Sequence, residues 1–214
     1  MQILAHTGAG WLLAMAGRGS RRFRQAVFFS AVLPDLDGLA VLGGFSQFGA
    51  WHDRITHGIV FSLLVSLLAV AACKGERGKA LLFTQAGFYS HYFGDFFLSG
   101  WPLGYWFPFQ MTTYTFAGAL DLGSPVNYAL CAAAVLLFAY TGWRFHRTPF
   151  EVLSPRLDAR VCNLLFCRKE LSCATCSQPA NEICIACGQP VCVRHAPVDW
   201  SFEPRCERCR RGPA

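Results

Sequence analysis

The chain has 214 residues, of which 53% are hydrophobic and only 15% charged, with a formal net charge of +6. Soluble domains usually carry about 25% charged residues, so an ordinary soluble fold is excluded for the chain as a whole. The apolar excess ends near Trp143, and eight of the 19 Lys and Arg precede Arg144 while 11 follow from it. The expected organisation is a membrane domain over 1–146, a linker over 147–171 and a small cysteine-rich module over 172–214.

Residues 3–17 form a weak apolar segment with His6 near its start. No Lys or Arg precedes it, so it lacks the basic start of a signal peptide and reads as retained. Arg18, Arg21, Arg22 and Arg24 follow. Residues 25–43 are apolar apart from Pro34-Asp35-Leu36-Asp37, and residues 44–57 form a loop with His52, Arg54 and His57. Residues 58–73 are the cleanest apolar run, short against the roughly 20 residues that a span needs. A basic turn, Lys74 to Lys79, leads to an apolar run over 80–98 that ends in His91 and Asp95. Residues 99–125 are rich in aromatic residues, Gly and Pro, a composition suited to the membrane–water interface or to a rim that admits lipid. Residues 126–143 form the last apolar run. Basic residues favour the cytoplasmic side, so the clusters at 18–24, 74–79 and from 144 predict five spans, an outside N-terminus and a cytoplasmic tail. The fold class expected is an all-α multi-span membrane bundle with a zinc-stabilised crossed-brace module.

That topology brings His6, Asp35, Asp37, His52, His57, His91 and Asp95 to one level, the outer half of the membrane. Carboxylates and imidazoles are expensive to bury there unless they pair or hold a cation. His91 and Asp95 are four residues apart and share one helix face. Imidazole with carboxylate suits Zn²⁺, or Mn²⁺ where carboxylate dominates.

Over residues 1–145 the motifs resemble a known series. His6 with Gly8, Pro34-Asp35-Leu36-Asp37, His52-x-Arg54-x-Thr56-His57-Gly58, His91-x-x-Gly94-Asp95 and Trp101-Pro102 are similar in order and spacing to the inner-membrane, LexA-regulated, metal-dependent hydrolases. The resemblance implies a hydrolase, with a likeness to zinc-dependent phospholipase C through its His and Asp ligands. On this reading His6, Asp35, Asp37, His52, His57, His91 and Asp95 hold two or three divalent ions, Zn or Mn. Asp35 or Asp37 bridges, a bound water becomes the nucleophile, and Arg54 pairs with a phosphate. The substrate expected is a membrane lipid or lipid-linked phosphoester or ester.

In the linker, Leu157, Val161, Leu164 and Leu165 recur at helical spacing between Arg156, Arg160 and Arg168. They form either an amphipathic helix on the membrane face or a plain connecting helix. The tail reads Cys173-x2-Cys176, Cys184-x2-Cys187, Cys192-x2-His195 and Cys206-x2-Cys209, a spacing that favours two structural zinc sites over disulfides. The crossed arrangement joins Cys173, Cys176, Cys192 and His195 at one ion and Cys184, Cys187, Cys206 and Cys209 at the other; sequential pairing is the alternative. The Cys187 to His195 spacing resembles B-box and AN1-type fingers, which implies a protein partner or regulation. Glu203 and Glu207 dilute the tail's arginines, which argues against nucleic acid. Two other functions compete with the hydrolase: an intramembrane metal or proton transporter, and a membrane-anchored zinc-finger adaptor.

Overall fold

The structure, a computed structural model, describes residues 2–44, 54–166, 172–178, 180, 182–184, 187, 189–192, 194–195 and 205–210. It is mostly helical and divides into two compact units, Met1–Val135 and Leu136–Ala214.

In the first unit, α1 (Ile3–Ala16) turns at Gly17 into α2 (Arg21–Ser30). The Ser20 hydroxyl caps α2 by accepting from the Phe23 N–H, supplying an acceptor to an otherwise orphaned amide. Beyond Ser30 the chain tightens into a 3-10 helix, Leu33–Gly43, with Pro34 at its start. Two further helices follow, α3 (Ile59–Ala72) and α4 (Arg77–Leu98). After an extended loop comes α5 (Pro125–Phe145), whose first part belongs to this unit.

The helices pack α1 on α2 and α4, and α3 on α4. Small residues let them close up. A Cβ on Gly87 of α4 would lie 2.2 Å from the Ser30 Oγ of α2, and one on Gly8 would lie 2.5 Å from the Ala134 Cβ of α5. This is how apolar helices associate where lipid removes the hydrophobic incentive. Between α3 and α4 runs a buried polar seam. Thr84 donates to Ser66 at 2.9 Å, and the Gln85 amide donates to Ser66 at 2.7 Å and to the Ser62 carbonyl at 3.1 Å.

The two ends of this bundle differ. At one, the Ser20 N–H donates to both oxygens of Glu76, at 3.0 and 3.2 Å. That clasp joins the turns carrying Arg18, Arg22, Lys74 and Arg77, all exposed. At the other, reached by about 20 Å of α1 at 1.5 Å per residue, lie His6, Asp35, His57, His91 and Asp95.

The five spans expected are not shown. Among the described residues one helix, Pro125–Phe145, is long and apolar enough to cross a membrane, and α2 with the 3-10 segment makes a second candidate bent by 52°. Ile3–Ala16 and Ile59–Ala72 are apolar but short. The 22-residue α4 is diluted by Thr84, Gln85, Ser90, His91 and Asp95.

In the second unit the end of α5 leads through a short 3-10 turn, Pro149–Val152, to α6 (Pro155–Leu165). Asp158 clasps the two, accepting from the Thr148 N–H at 2.8 Å and the Thr148 hydroxyl at 2.5 Å. A two-stranded antiparallel hairpin follows, β1 (Glu182–Ile183) on β2 (Pro190–Val191), with Glu182 opposite Val191. A last short helix, α7, spans Glu207–Arg210. The strands were not expected; two residues each are too few to show a period of two in sequence.

Burial pushes the Asp158 carboxyl up to about 6, and the Thr148 donors offset only part of this. The protonated form is therefore favoured in the folded clasp. Stability is fully present below about pH 4 and is lost as pH rises to about 6. We expect the hydrogen-exchange protection of the Thr148 amide to fall by up to roughly a hundredfold over that range. In Asp158→Asn, which keeps the Oδ1 acceptor, the profile should be flat. An equal slope in both would place the titrating group elsewhere.

Candidate metal centre

Four pieces of chain bring the buried polar cluster together. His6 sits one turn into α1. Asp35 and Asp37 lie on the 3-10 helix after α2. Arg54–His57 form the turn before α3, and His91 and Asp95 lie one helical turn apart on α4. The Thr56 hydroxyl donates to the Pro34 carbonyl, tying the His57 turn to the aspartate segment. His6, His57 and His91 are fully buried, and Asp37 and Asp95 nearly so.

The distances have one physical theme. His91 Nδ1 lies 2.8 Å from the Ala31 carbonyl oxygen. A carbonyl only accepts, so Nδ1 carries a proton and Nε2 is the nitrogen turned inward. That Nε2 faces Asp95 Oδ2 at 2.9 Å, His57 Nε2 at 3.1 Å and Asp35 Oδ1 at 3.6 Å. His57 repeats the arrangement. Its Nδ1 donates to Asp37 Oδ2 at 3.3 Å, leaving Nε2 to face Asp95 Oδ2 at 3.5 Å. His6 stacks on His91 with ring centroids 3.6 Å apart, and its Nε2 meets Asp95 Oδ1 at 3.1 Å. Three imidazole Nε2 atoms thus crowd around the carboxylates of Asp95 and Asp35, an arrangement that protons or a cation satisfy. Ligands about 2.1 Å from one ion lie roughly 3.0–3.5 Å from each other, close to the spread seen here. His6, Asp35, His91 and Asp95 each place one ligand atom within 4.8 Å of the others, a possible metal site.

Six of the seven candidates named from the sequence therefore meet: His6, Asp35, Asp37, His57, His91 and Asp95. His52 lies outside the described residues. Arg54 stands in the His57 turn, partly exposed rather than among the buried groups. Sequence reasoning missed the Ala31 carbonyl, which any residue at that position would supply, and the Thr56 tie, which Thr56 beside His57 hinted at.

The tail forms two further possible metal sites, grouped in the crossed manner: Cys173, Cys176, Cys192 with His195, and Cys184, Cys187, Cys206 with Cys209. Cys176 and Cys192 sulfurs are 3.6 Å apart, Cys187 and Cys206 3.7 Å, and His195 Nδ1 is 3.4 Å from Cys192 Sγ. A disulfide would need about 2.05 Å, whereas sulfurs 2.3 Å from a tetrahedral ion stand about 3.8 Å apart. Burial works against ionising Cys173, but the backbone N–H groups of Thr175, Cys192 and Cys176 hold its thiol down at about 5. The thiolate is the form that ligates. The Cys206 N–H likewise points at Cys184 Sγ, at 3.2 Å. Two copies of one turn build these sites: Cys173 donates its N–H to the Gln178 carbonyl and Cys184 to that of Gln189. The repeat Cys-x2-Cys-x-Gln-Pro at 173–179 and 184–190 was the available signal.

These features define a helical membrane protein with a buried His/Asp group able to hold metal, extended by a cysteine tail with two more such groups. The chain belongs to the YdjM inner membrane protein family, whose profile matches residues 1–167. The match ends before Cys173, so the metal sites of the tail lie beyond it. No curated protein and no solved structure matches the chain.

Replacing Cys192 by Ala should release at least one equivalent of bound metal from the purified full-length chain. Metal bound through His91 should stay. Elemental analysis of Cys192→Ala, His91→Ala and the double variant checks this, and unchanged content in Cys192→Ala would remove the tail assignment.

Proposed function

We propose that the protein is a membrane-bound, metal-dependent hydrolase that cleaves a phosphoester or ester bond in a lipid or lipid-linked substrate. The observation that carries this is the convergence of six His and Asp side chains, from four separate segments, in one buried cluster. His57 and His91 each commit Nδ1 to an acceptor on another segment, Asp37 and the Ala31 carbonyl, and their Nε2 atoms meet at Asp95 Oδ2.

In this reading the domain is residues 1–146, with 147–171 as linker. His6, Asp35, His57, His91 and Asp95 are the ligands, with His52 a further candidate. Asp37 orients His57 and strengthens it as a ligand, in the manner of a carboxylate–histidine pair beside a metal. When bound, divalent ions (two or three, Zn or Mn) supply an acidified water and charge for the leaving oxygen. Arg54, at the partly exposed mouth, is placed to meet a phosphate through its guanidinium fork. The basic ends at Arg18–Arg24 and Lys74–Lys79 face the cytoplasm by the charge rule, which sets the cluster and the N-terminus outside and the tail inside. The tail, residues 172–214, binds two structural zinc ions that provide the folding energy its small core lacks, and serves a protein partner or regulation.

The transporter alternative gains one point from the Ser62, Ser66, Thr84 and Gln85 seam. Those groups are uncharged and bond to each other and to helix carbonyls, an arrangement that holds α3 on α4 without offering an ion a pathway of ligands.

Purified full-length protein should hold metal beyond the tail's two equivalents and hydrolyse a phosphodiester or lipid ester in a screen. Asp95→Asn should abolish turnover, and Asp37→Asn should weaken metal affinity by roughly 10- to 100-fold. Wild-type protein that holds no metal sensitive to His91→Ala would end the proposal.

A further inference from the structure

The loop between α4 and α5 is the largest feature that the metal cluster leaves unexplained. From Ser99 to Ser124 its one charged residue is Asp121, near the end; Ser99 to Leu120 contains no Lys, Arg, His, Asp or Glu. A water-facing loop of that length would ordinarily carry several. Its large apolar side chains nevertheless point outward: Phe109 is 80% exposed, Met111 67% and Trp106 46%.

The loop is built, not loose. Leu103 and Tyr114 exchange both backbone hydrogen bonds at 2.9 Å, and Leu103 is fully buried. The Asn127 amide pins both ends, donating to the Leu98 carbonyl at 2.7 Å and the Asp121 carbonyl at 2.9 Å. It is also seated against the cluster. The Ile59 N–H, two residues past His57, donates to the Tyr105 carbonyl at 2.8 Å. A Cβ on Gly58 would lie 2.7 Å from the Phe107 carbonyl oxygen, so only glycine admits the loop there. The Tyr92 ring, next to His91, meets Tyr105 edge-on at 4.8 Å.

The exposed apolar surface continues without a break onto α4. Leu82, Tyr89 and Phe93 share one exposed face of that helix, as spacings of seven and four require. Phe93 contacts Phe97 at 4.4 Å, and Phe97 contacts Phe116 of the loop at 4.9 Å. In an inner-membrane family such a face lies against lipid, and a loop that prolongs it lies against the same lipid. The cation-rich turns at the opposite end of the bundle show what a water-facing connection in this chain looks like.

We infer that the loop from Ser99 to Ser124 is inserted into the leaflet at the cluster end of the bundle, with Trp106, Phe109 and Met111 among the lipid chains and the glycerol region. The substrate of the adjacent cluster is then an amphiphile resident in the bilayer, presented from lipid rather than from bulk water. The insertion stands on the loop alone; the substrate class rests on the hydrolase reading.

The test uses full-length protein in phosphatidylglycerol–phosphatidylethanolamine vesicles. Trp106 emission, obtained as wild type minus Trp106→Phe, should be quenched by lipids brominated on the acyl chain and shielded from aqueous acrylamide. Strong acrylamide quenching without bromolipid quenching overturns the insertion, whatever the metal does. For the substrate class, Phe109→Ser/Met111→Ser is compared with wild type at equal metal content. Cleavage of a phospholipid in vesicles should fall at least tenfold, while that of soluble bis(p-nitrophenyl) phosphate stays within twofold. Equal losses on both probes overturn the lipid-presentation claim. A wild type inactive on both would count against the hydrolase reading and withdraw the substrate class with it, leaving the quenching result to decide the loop's position.

Discussion

The membrane unit depends on one constraint: the proton on His91 is fixed by a backbone carbonyl. Because Ala31 accepts from Nδ1, Nε2 is left to face the cluster, where it meets Asp95, His57 and Asp35. Burying carboxylates in a low-dielectric interior costs several kcal/mol per ion unless partners or a cation offset it. The helices would separate or the side chains would turn away if nothing screened that charge. They stay together because α1, α2 and α4 meet at glycine and alanine surfaces that permit close approach, and because Thr56 locks the aspartate segment to the His57 turn. Packing brings the acceptors together, and a cation is the simplest partner that satisfies them all.

The same constraint explains why the backbone changes character where it does. An α-helix continued through Ser30 would carry its own carbonyls in hydrogen bonds to the residues four on. The chain leaves α2 at Ala31, which frees that carbonyl for His91. Pro34 then starts the tighter 3-10 turn, whose three residues per turn set Asp35 and Asp37 on different sides. Asp35 faces His91 and Asp37 faces His57. One dipeptide pattern thus supplies two partners to two different rings.

Much of this was legible in the sequence and some was not, for identifiable reasons. His91 and Asp95 at a spacing of four announce a shared face whatever the rest of the fold does. The crossed grouping of the cysteines followed from the pairs and from their similarity to known fingers. Asp35 and Asp37 read only as equivalent carboxylates, because a spacing of two separates them on any helix without saying which ring each meets. The Ala31 contact is invisible to any reading of side chains, since the group involved is common to all residues. The five spans are not shown: the break at Ala31 and the polar groups on α4 leave one helix long and apolar enough, or two with the bent pair, among the described residues.

The two kinds of metal site in this chain answer one problem with different chemistry. In the tail, soft thiolates surrounded by backbone N–H groups suit zinc and leave no coordination position open once four protein ligands are in place. In the membrane unit, harder carboxylates mix with imidazoles, and the acceptors outnumber what one tetrahedral ion can use. Beside the cluster stand the Arg54 turn and the aromatic loop, whose Tyr105 carbonyl accepts from the Ile59 N–H. Ligand softness thus separates the two kinds of possible site: one rich in carboxylate competes poorly with thiolate for zinc, and thiolate sites compete poorly for manganese.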